Sequence, residues 1–327
     1  MPAKSFAPAT LPPEYIPLKR RLMSAHRDEF AALRRQNLCL RLFEIAIFVL
    51  AWVGGITLTL FASTLPAVGL RWPLQALGIF AGGVALFVFF LEAHEGMHNL
   101  LFKPKLLNDC AAFLFCLPLF LSYSGATLLH RVHHRYLGSR DDPDEYRFYA
   151  KTWLGLWLLY YGRLFVAPLV YVMLIPILGY RYGTTLLRRR ILLEIMLMLA
   201  IYLLIFTSVP LGVLWLTWLL PSALAGFLIG LWGVAQHAFN DGDDPLLASR
   251  SIRAAPLVTF CFINQNYHLE HHLFPEIPSY HLGRACRLIW PQLPYLLVAN
   301  SYSGFMLEFV RASLKLENRL LGYTKTE

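Results

Sequence analysis

The sequence predicts an all-α integral membrane protein with four transmembrane helices. Of its 327 residues, 57% are hydrophobic and 15% are charged, against roughly 45–50% and 25% in soluble globular domains. Several apolar runs reach the length of about 20 residues that a spanning helix needs, and Lys and Arg are distributed very unevenly between the two sides that these runs define. This composition excludes an ordinary soluble domain and a disordered chain.

The first 41 residues are predicted to form a basic N-terminal segment outside the bilayer core. Residues 1–20 are rich in proline and lack a long apolar run, so we expect a loose tail and not a cleavable signal peptide, which needs an apolar core. Residues 21–41 are strongly charged and are expected to form an interfacial helix.

Four spans are predicted from apolar runs. Ile45–Leu65 provides 21 residues and Trp72–Leu91 provides 20. Ile195–Gln236 provides 42 residues, which is enough for two crossings with a turn at residues 208–210. The four spans are expected to form two hairpins.

Two further apolar runs are predicted to be re-entrant or interfacial helices. Ala111–Leu129 is interrupted by Pro118, while Leu164–Tyr180 is short and contains Pro168 and Pro176. With these two runs left on one side, all but Arg71 of the 29 Lys and Arg residues share that side. The positive-inside tendency then predicts that both termini are cytoplasmic.

Eight of the eleven histidines fall in three short motifs. The motifs are His94-x-x-x-His98, His130-x-x-His133-His134 and His268-x-x-His271-His272. On a helix these spacings place the imidazoles on one face, and neutral imidazole is the commonest metal ligand. His237 follows the fourth predicted span and is a ninth candidate, whereas His26 and His281 are expected to be structural.

The histidines are predicted to form a cytoplasmic, histidine-rich cap that holds two metal ions. His94 and His237 lie one to three residues beyond the predicted ends of two spans, on the side that carries the other motifs. Nine nitrogen ligands exceed one tetrahedral site and suit two metals. Imidazole ligands alone do not distinguish zinc, copper, iron and nickel.

Parts of the sequence also fit two other functional classes. His94-Glu95-x-x-His98 also matches the H-E-x-x-H motif of zinc metalloproteases, with Glu95 as the base, which would make the chain an intramembrane zinc metalloprotease. That hypothesis leaves the other two motifs without a function. A metal transporter should carry ionisable residues within its spans, whereas here they lie at span ends.

In their order and flanking residues, the three motifs resemble those of the membrane-bound fatty acid desaturase–hydroxylase superfamily. The motif His94-x-x-x-His98 is here called box one, His130-x-x-His133-His134 box two and His268-x-x-His271-His272 box three. Box two is followed by Arg135-Tyr136 and then by Asp141-Asp142-Pro143-Asp144, and box three lies within the stretch from Asn266 to Pro275. The resemblance covers roughly residues 42–290. We therefore expect a membrane domain over 42–290, a basic N-terminal segment over 1–41 and a C-terminal cytoplasmic helix over 291–327.

The resemblance implies two iron ions (Fe2+/Fe3+) and an O2-dependent oxidation that introduces a double bond into a fatty acyl chain. The alternatives within the superfamily are a carotenoid hydroxylase or ketolase, a fatty-acid hydroxylase and an oxidative decarboxylase. In acyl-CoA desaturases an Asn near the position of His237 contacts one metal through water, but here Gly233 lies one turn before His237. The implied ligands are His94, His98, His130, His133, His134, His237, His268, His271 and His272.

Nine neutral ligands leave the charge of two iron ions uncompensated, so nearby carboxylates are expected to accept hydrogen bonds from the ligand rings. The candidates are Glu95, Asp142, Asp144 and Glu270, whereas Asp243 and Asp244 are expected to be solvated. Low pH should protonate the imidazoles and release the metal.

A separate electron donor, either a ferredoxin or a small haem protein, is expected as a partner. The sequence contains no fused haem-carrier motif, and its five cysteines lack the C-x-x-C spacing of a metal or redox site. The basic run Arg188–Arg190 could steer an acidic carrier, although it also serves as a topology signal. The net charge is +9, but the Lys and Arg residues do not form a stripe with interleaved aromatic residues, which would indicate nucleic-acid binding.

Overall fold

The computed structural model describes residues 15–241, 244, 246–316, 321 and 323–325. Most of the predicted N-terminal tail therefore lies outside the described residues, as does Asp243. The helices in chain order are α1 (Tyr15–Ala25), α2 (Arg27–Leu33), α3 (Leu38–Ser63), α4 (Val68–Met97), α5 (Lys105–Cys116), α6 (Tyr123–Tyr136), α7 (Trp153–Phe165), α8 (Ala167–Tyr182), α9 (Thr185–Ser208), α10 (Leu211–Leu214), α11 (Leu220–His237), α12 (Pro256–Cys261), α13 (His268–Leu273), α14 (Ser279–Ile289) and α15 (Tyr302–Leu314). The strands are β1 (Arg250–Ile252), β2 (Tyr295–Ala299) and β3 (Tyr323–Lys325).

The described residues form two compact units. The unit here called the box unit comprises residues 15–36, 129–166 and the described part of 230–327, and it holds boxes two and three and His237. The unit here called the span unit comprises residues 37–128 and 167–229, and it holds box one.

Among the described residues, four helices are long and apolar enough to cross a membrane: Leu38–Ser63, Val68–Met97, Thr185–Ser208 and Leu211–His237. The last of these contains α10, a π-helical turn at Trp215–Leu219 and α11. Each of the four predicted spans therefore corresponds to one of these helices, and the break after Ser208 lies where the turn was predicted.

The two apolar runs that were not counted as spans are interrupted. Lys105–Leu119 and Tyr123–Tyr136 are bent by 101° at the break between them. The second run divides into α7, which ends at Phe165, and α8, which begins at Ala167. If each bent pair formed one span, the number of crossings would be six.

The first span begins at Leu38, seven residues earlier than predicted. The prediction excluded Arg41 and Glu44 because they are charged. In the structure Arg41 donates to Glu44 at 3.2 Å, to Glu92 at 2.7 Å and to Glu95 at 2.6 Å. Because the Arg41 guanidinium hydrogen-bonds all three carboxylates, these buried polar groups have partners and the helix continues through them.

In the span unit, α3 and α4 approach each other closely at glycines. A Cβ atom on Gly55 would lie 2.7 Å from the carbonyl oxygen of Gly78, and one on Gly78 would lie 2.4 Å from Oγ1 of Thr59. Small residues at such a contact let two helix backbones pack directly, which is a common arrangement in membranes.

In the box unit, the N-terminal helices pack on the region of box three. Phe30 and Leu33 of α2 belong to the same buried cluster as Leu273 and Phe274, and the Phe30 and Phe274 rings are 4.5 Å apart. The stretch expected to be one interfacial helix is therefore the end of α1, α2 and the start of α3. The apolar side chains Phe30 and Leu33 of α2 are covered by protein.

The fold is mostly helical, as predicted, but the all-α class omits a small sheet. In the described residues β1 pairs with β2 in parallel and β2 pairs with β3 antiparallel. These strands have only three to five residues, and β2 is an unbroken apolar run. Such a short run lacks the alternation that distinguishes a half-buried strand from a helix.

Candidate metal centre

Box two lies in the last two turns of α6, and the chain then turns back on it. Gly138 follows the helix with φ of 70°, a conformation that glycine adopts without strain. Its N–H donates to Oδ2 of Asp142 at 2.9 Å, and Asp142 contacts Nδ1 of His133 at 2.9 Å. The turn at Gly138 therefore places a carboxylate on one ring nitrogen of His133.

Box three forms the short helix α13, whose six residues are all buried. The hydroxyl of Ser251 in β1 donates to Glu270 at 2.6 Å and accepts from the N–H of Leu269 at 3.1 Å. The indole N–H of Trp290 donates to the other oxygen of Glu270. The sheet and Trp290 therefore hold α13 through its central carboxylate.

His237 is the last residue of α11, and a buried arginine caps this helix end. Arg250 donates to the carbonyl oxygens of Ala235 at 2.7 Å and Ala238 at 3.0 Å, and also to that of Leu321 at 2.8 Å. The last carbonyl groups of a helix need such donors when they are buried. Sequence analysis missed Arg250, because its partners are backbone groups that no sequence pattern marks.

Seven imidazoles of the box unit converge in two groups. In each group the ring nitrogens lie within 4.8 Å of one another, with His133, His237 and His272 in one group and His130, His134 and His271 in the other. His268 lies beside the first group, because its Nε2 is 2.8 Å from Nε2 of His237 and 3.1 Å from that of His272. In the second group, Nε2 of His271 is 3.1 Å from Nε2 of His134.

These distances fit a set of metal ligands. Transition-metal bonds to imidazole are about 2.0–2.1 Å long, so two ligands at about 90–109° have nitrogens roughly 2.9–3.4 Å apart. The Nε2–Nε2 distances of 2.8–3.1 Å lie close to that range. A donor set of imidazoles suits zinc, copper, iron or nickel, and it does not suit magnesium or calcium.

His94 and His98 belong to the span unit. His94 lies in the last turn of α4 and is buried, and His98 is the first residue after this helix. The ring centroids of the two histidines are 5.3 Å apart. Their membership in the ligand set remains a prediction from the sequence motif.

The four carboxylates expected near the ligands have different partners. Asp142 contacts His133, as described, and its Oδ1 also accepts from the backbone N–H of Asp144 at 2.9 Å. The Asp144 side chain pairs with Arg163 at 3.0 Å. Glu270 is held by Ser251 and Trp290, and Glu95 is paired with Arg41.

The pKa values of two groups in the box unit reflect these contacts. Burial lowers the pKa of His133, but the charge of Asp142 and its hydrogen bond raise it more, so the net shift is upward. Burial raises the pKa of Glu270 above the usual value, although the hydrogen bonds from Ser251 and Trp290 act in the opposite direction.

Glu95 is poorly placed for the base of a zinc protease. Its side chain is fully buried and its carboxylate accepts a 2.6 Å ion pair from Arg41. A general base must reach the proton it abstracts directly or through water. The structure thus disfavours the protease hypothesis on the residue that suggested it.

Two residues expected to lie outside the site also have defined environments. Asp244 is half-buried and accepts from the Tyr295 hydroxyl at 2.6 Å, so the expectation of a solvated side chain was wrong. His26 lies 3.5 Å from Glu29 at the surface, away from both histidine groups.

A family model described as fatty acid desaturase matches residues 70–302. The chain is 28% identical over 223 residues to a beta-carotene ketolase of Paracoccus sp. (strain N81106 / MBIC 01143), which covers 64% of this chain and 78% of that protein. The chain is 27% identical over 222 residues to the beta-carotene ketolase of Paracoccus sp. (strain PC1), and this alignment covers 65% of this chain and 79% of that protein. The chain is 35% identical over 80 residues to a sphingolipid delta(4)-desaturase of Candida albicans (strain SC5314 / ATCC MYA-2876). That alignment covers 23% of this chain and 22% of the desaturase.

Proposed function

Because this chain belongs to the fatty acid desaturase family, we propose that it is an O2-dependent di-iron membrane enzyme that introduces a double bond into a fatty acyl chain. The family and its relatives make it an oxidoreductase. The convergence of seven buried or half-buried imidazoles in the box unit is the observation that carries the proposal.

We assign nine histidines as ligands of two iron ions. The two imidazole groups of the box unit and His268 supply seven of them, and the motif His94-x-x-x-His98 supplies two. When bound, the iron ions would supply the oxidising chemistry with O2 that removes hydrogen from an unactivated C–H bond. The assigned ligands are His94, His98, His130, His133, His134, His237, His268, His271 and His272.

The protein's own residues orient these ligands. Asp142 accepts from Nδ1 of His133, which leaves Nε2 of that ring available for a metal. Ser251 and Trp290 hold Glu270, and therefore the helix that carries box three. Because His268, His271 and His272 are almost completely buried, water is largely excluded from the side of the site that they form.

The substrate, the second reactant and the electron donor follow from the reaction class. A fatty acyl chain in the bilayer would reach the site from the apolar side of the protein, and O2 would be the oxidant. Electrons would come from a separate ferredoxin or small haem protein, steered by basic residues such as the exposed Arg188, Arg189 and Arg190. The termini and the metal site are proposed to be cytoplasmic, on the basis of the Lys and Arg distribution.

A second candidate is a carotenoid ketolase. The two Paracoccus relatives named for this activity align with about two thirds of the chain, whereas the sphingolipid desaturase aligns with less than a quarter. Both substrates are long apolar lipids and both reactions oxidise a methylene C–H bond, so the same site suits either.

The two candidates are separated by expressing the protein in a host that contains saturated acyl lipids and β-carotene. Wild type, His271→Ala and His281→Ala are compared by lipid and pigment profiling under air. His281 lies outside both imidazole groups and serves as the matched control. A new unsaturated acyl species with wild type and His281→Ala, absent from His271→Ala, supports the desaturase.

If the profiles instead show an oxygenated carotenoid and unchanged acyl chains, the protein is a ketolase and the desaturase proposal is wrong. Full turnover by purified protein after complete removal of iron would contradict both candidates.

A further inference from the structure

Arg163 is a buried cation in the box unit for which the sequence offers no functional pattern. Its residue exposure is 7%, and its guanidinium pairs with Asp144 at 3.0 Å and lies 5.3 Å from the centre of the Tyr146 ring. A buried charge needs such compensation. The residue lies near the end of α7, whose other described side chains are mostly apolar.

The guanidinium occupies space that only a glycine at position 233 leaves open. A Cβ atom on Gly233 would lie 2.4 Å from Nη2 of Arg163 and 2.8 Å from its Cζ. At Gly230, one turn earlier, a Cβ atom would lie 2.5 Å from the carbonyl oxygen of Arg163. The two glycines therefore allow the end of α7 to pack closely against α11.

At this position Arg163 is connected to two histidines of one imidazole group, His133 and His237. On one side, Arg163 holds Asp144, whose N–H donates to the carboxylate that contacts His133. On the other side, it packs on Gly233, one turn before His237 in the same helix. His133 and His237 are two members of the group that also contains His272.

We propose that Arg163 is a positioning residue for the half of the metal centre formed by His133, His237 and His272. The proposal rests on the assignment of these histidines as metal ligands. In this arrangement the guanidinium fixes the loop that carries Asp142 relative to the end of α11, so that two rings from distant parts of the chain meet at one point.

The sign of the effect distinguishes positioning from charge. A cation near two metal ions repels them, so its removal should tighten metal binding if charge were its only influence. If Arg163 acts by positioning, Arg163→Gln should instead weaken binding at one of two sites by about 10–100-fold, which is the usual effect of losing a residue that orients metal ligands. Arg163→Lys keeps the charge but loses the planar fork, so it should weaken the same site.

The experiment is a titration of metal-depleted protein in detergent with Co2+, followed by the ligand-field absorption and by the metal content per chain. Wild type is expected to bind two ions. Arg163→Gln and Arg163→Lys should each show one normal and one weakened site, while Arg34→Gln should match wild type. Arg34 is the control because it pairs with Glu276 at 2.7 Å in the same unit, outside both imidazole groups.

Gly233→Ala provides an independent route to the same result. The added methyl group would displace the guanidinium, so this variant should weaken the same site as Arg163→Gln. In an Arg163→Ala background the methyl group meets no guanidinium, so adding Gly233→Ala should change metal binding by less than about threefold, because the effects of two residues that act through one contact are not additive. Thermal unfolding of every variant shows whether it is folded.

Each outcome decides one question. Tighter or unchanged binding of both ions by folded Arg163→Gln would overturn the positioning role, and so would rescue of Arg163→Gln by Asp144→Asn, because rescue means that Arg163 only neutralises Asp144. Equal weakening of both sites in a folded variant would also overturn it. If wild type binds no metal, the proposed function fails instead.

Discussion

Single side chains decide how the imidazoles of the box unit present their nitrogens. His133 has two ring nitrogens, and the contact of Nδ1 with Asp142 leaves Nε2 to face His237 and His272. Asp142 itself is held by the N–H groups of Gly138 and Asp144. One carboxylate therefore fixes both the tautomer and the orientation of a ring, which a neutral amide would do less well.

Asp142→Asn should lower the affinity for one metal ion by about 10–100-fold, because the amide neither carries the charge nor imposes the same tautomer on His133. Metal content per chain after dialysis against a weak chelator measures the effect. Asp141→Asn is the matched control, since Asp141 is the exposed neighbour in the same turn. Equal metal retention by the two variants would contradict the role of Asp142.

At the scale of helices, close packing in the span unit depends on which glycine of a pair faces the neighbour. A Cβ atom on Gly55 would strike the backbone of α4 at 2.7 Å, while one on Gly54 would have nothing within 4 Å. The two adjacent glycines therefore differ only in the direction in which they point.

Gly55→Ala should destabilise the protein by about 1–3 kcal/mol, because overpacking separates α3 from α4. Gly54→Ala should be neutral or stabilising by up to about 1 kcal/mol, since alanine favours a helix more than glycine. The unfolding temperature in one detergent measures both. The packing account is wrong if Gly54→Ala is the more damaging substitution.

The end of α11 depends in the same way on Arg250. Arg250→Gln should cost about 3 kcal/mol, because several buried carbonyl oxygens lose their donors at once. His237 should then lose its defined position, and metal retention should fall together with the unfolding temperature. Arg253→Gln changes an exposed arginine three residues away and should shift stability by less than about 0.5 kcal/mol.

At the scale of the whole chain, charge and apolar length define a topology. Four helices are able to cross a membrane, and Arg71, the lone basic residue of one side, lies close to the short connection between α3 and α4. An even number of crossings places both termini on the same side. If these four helices are the crossings, the positive-inside tendency predicts that this side is the cytoplasm.

Fusion reporters in a bacterial host test this topology. A fluorescent protein at the C-terminus should fluoresce, and alkaline phosphatase fused there should be inactive. Phosphatase fused after Pro66, between the first two spans, should be active. An active phosphatase at the C-terminus would contradict this topology, because it requires either an odd number of crossings or the inverted orientation with both termini outside.

The features predicted correctly from sequence are those that local patterns determine. A span needs about 20 consecutive apolar residues, and a histidine box needs spacings of three and four residues on one helix. Both are properties of neighbouring residues, so the four long apolar helices, the break at Ser208 and the helices of boxes two and three could be inferred without coordinates.

The remaining features depend on contacts between residues far apart in the chain. Arg163 meets Gly233, Arg250 meets backbone carbonyl groups, Ser251 meets Glu270, and Arg41 reaches Glu92, 51 residues away. A buried charge or a short strand becomes stable only through such partners, and a linear pattern does not show which backbone or side chain will arrive. The local sequence therefore determines which metal-binding side chains the protein has, whereas the tertiary structure determines how their ring nitrogens are placed relative to one another.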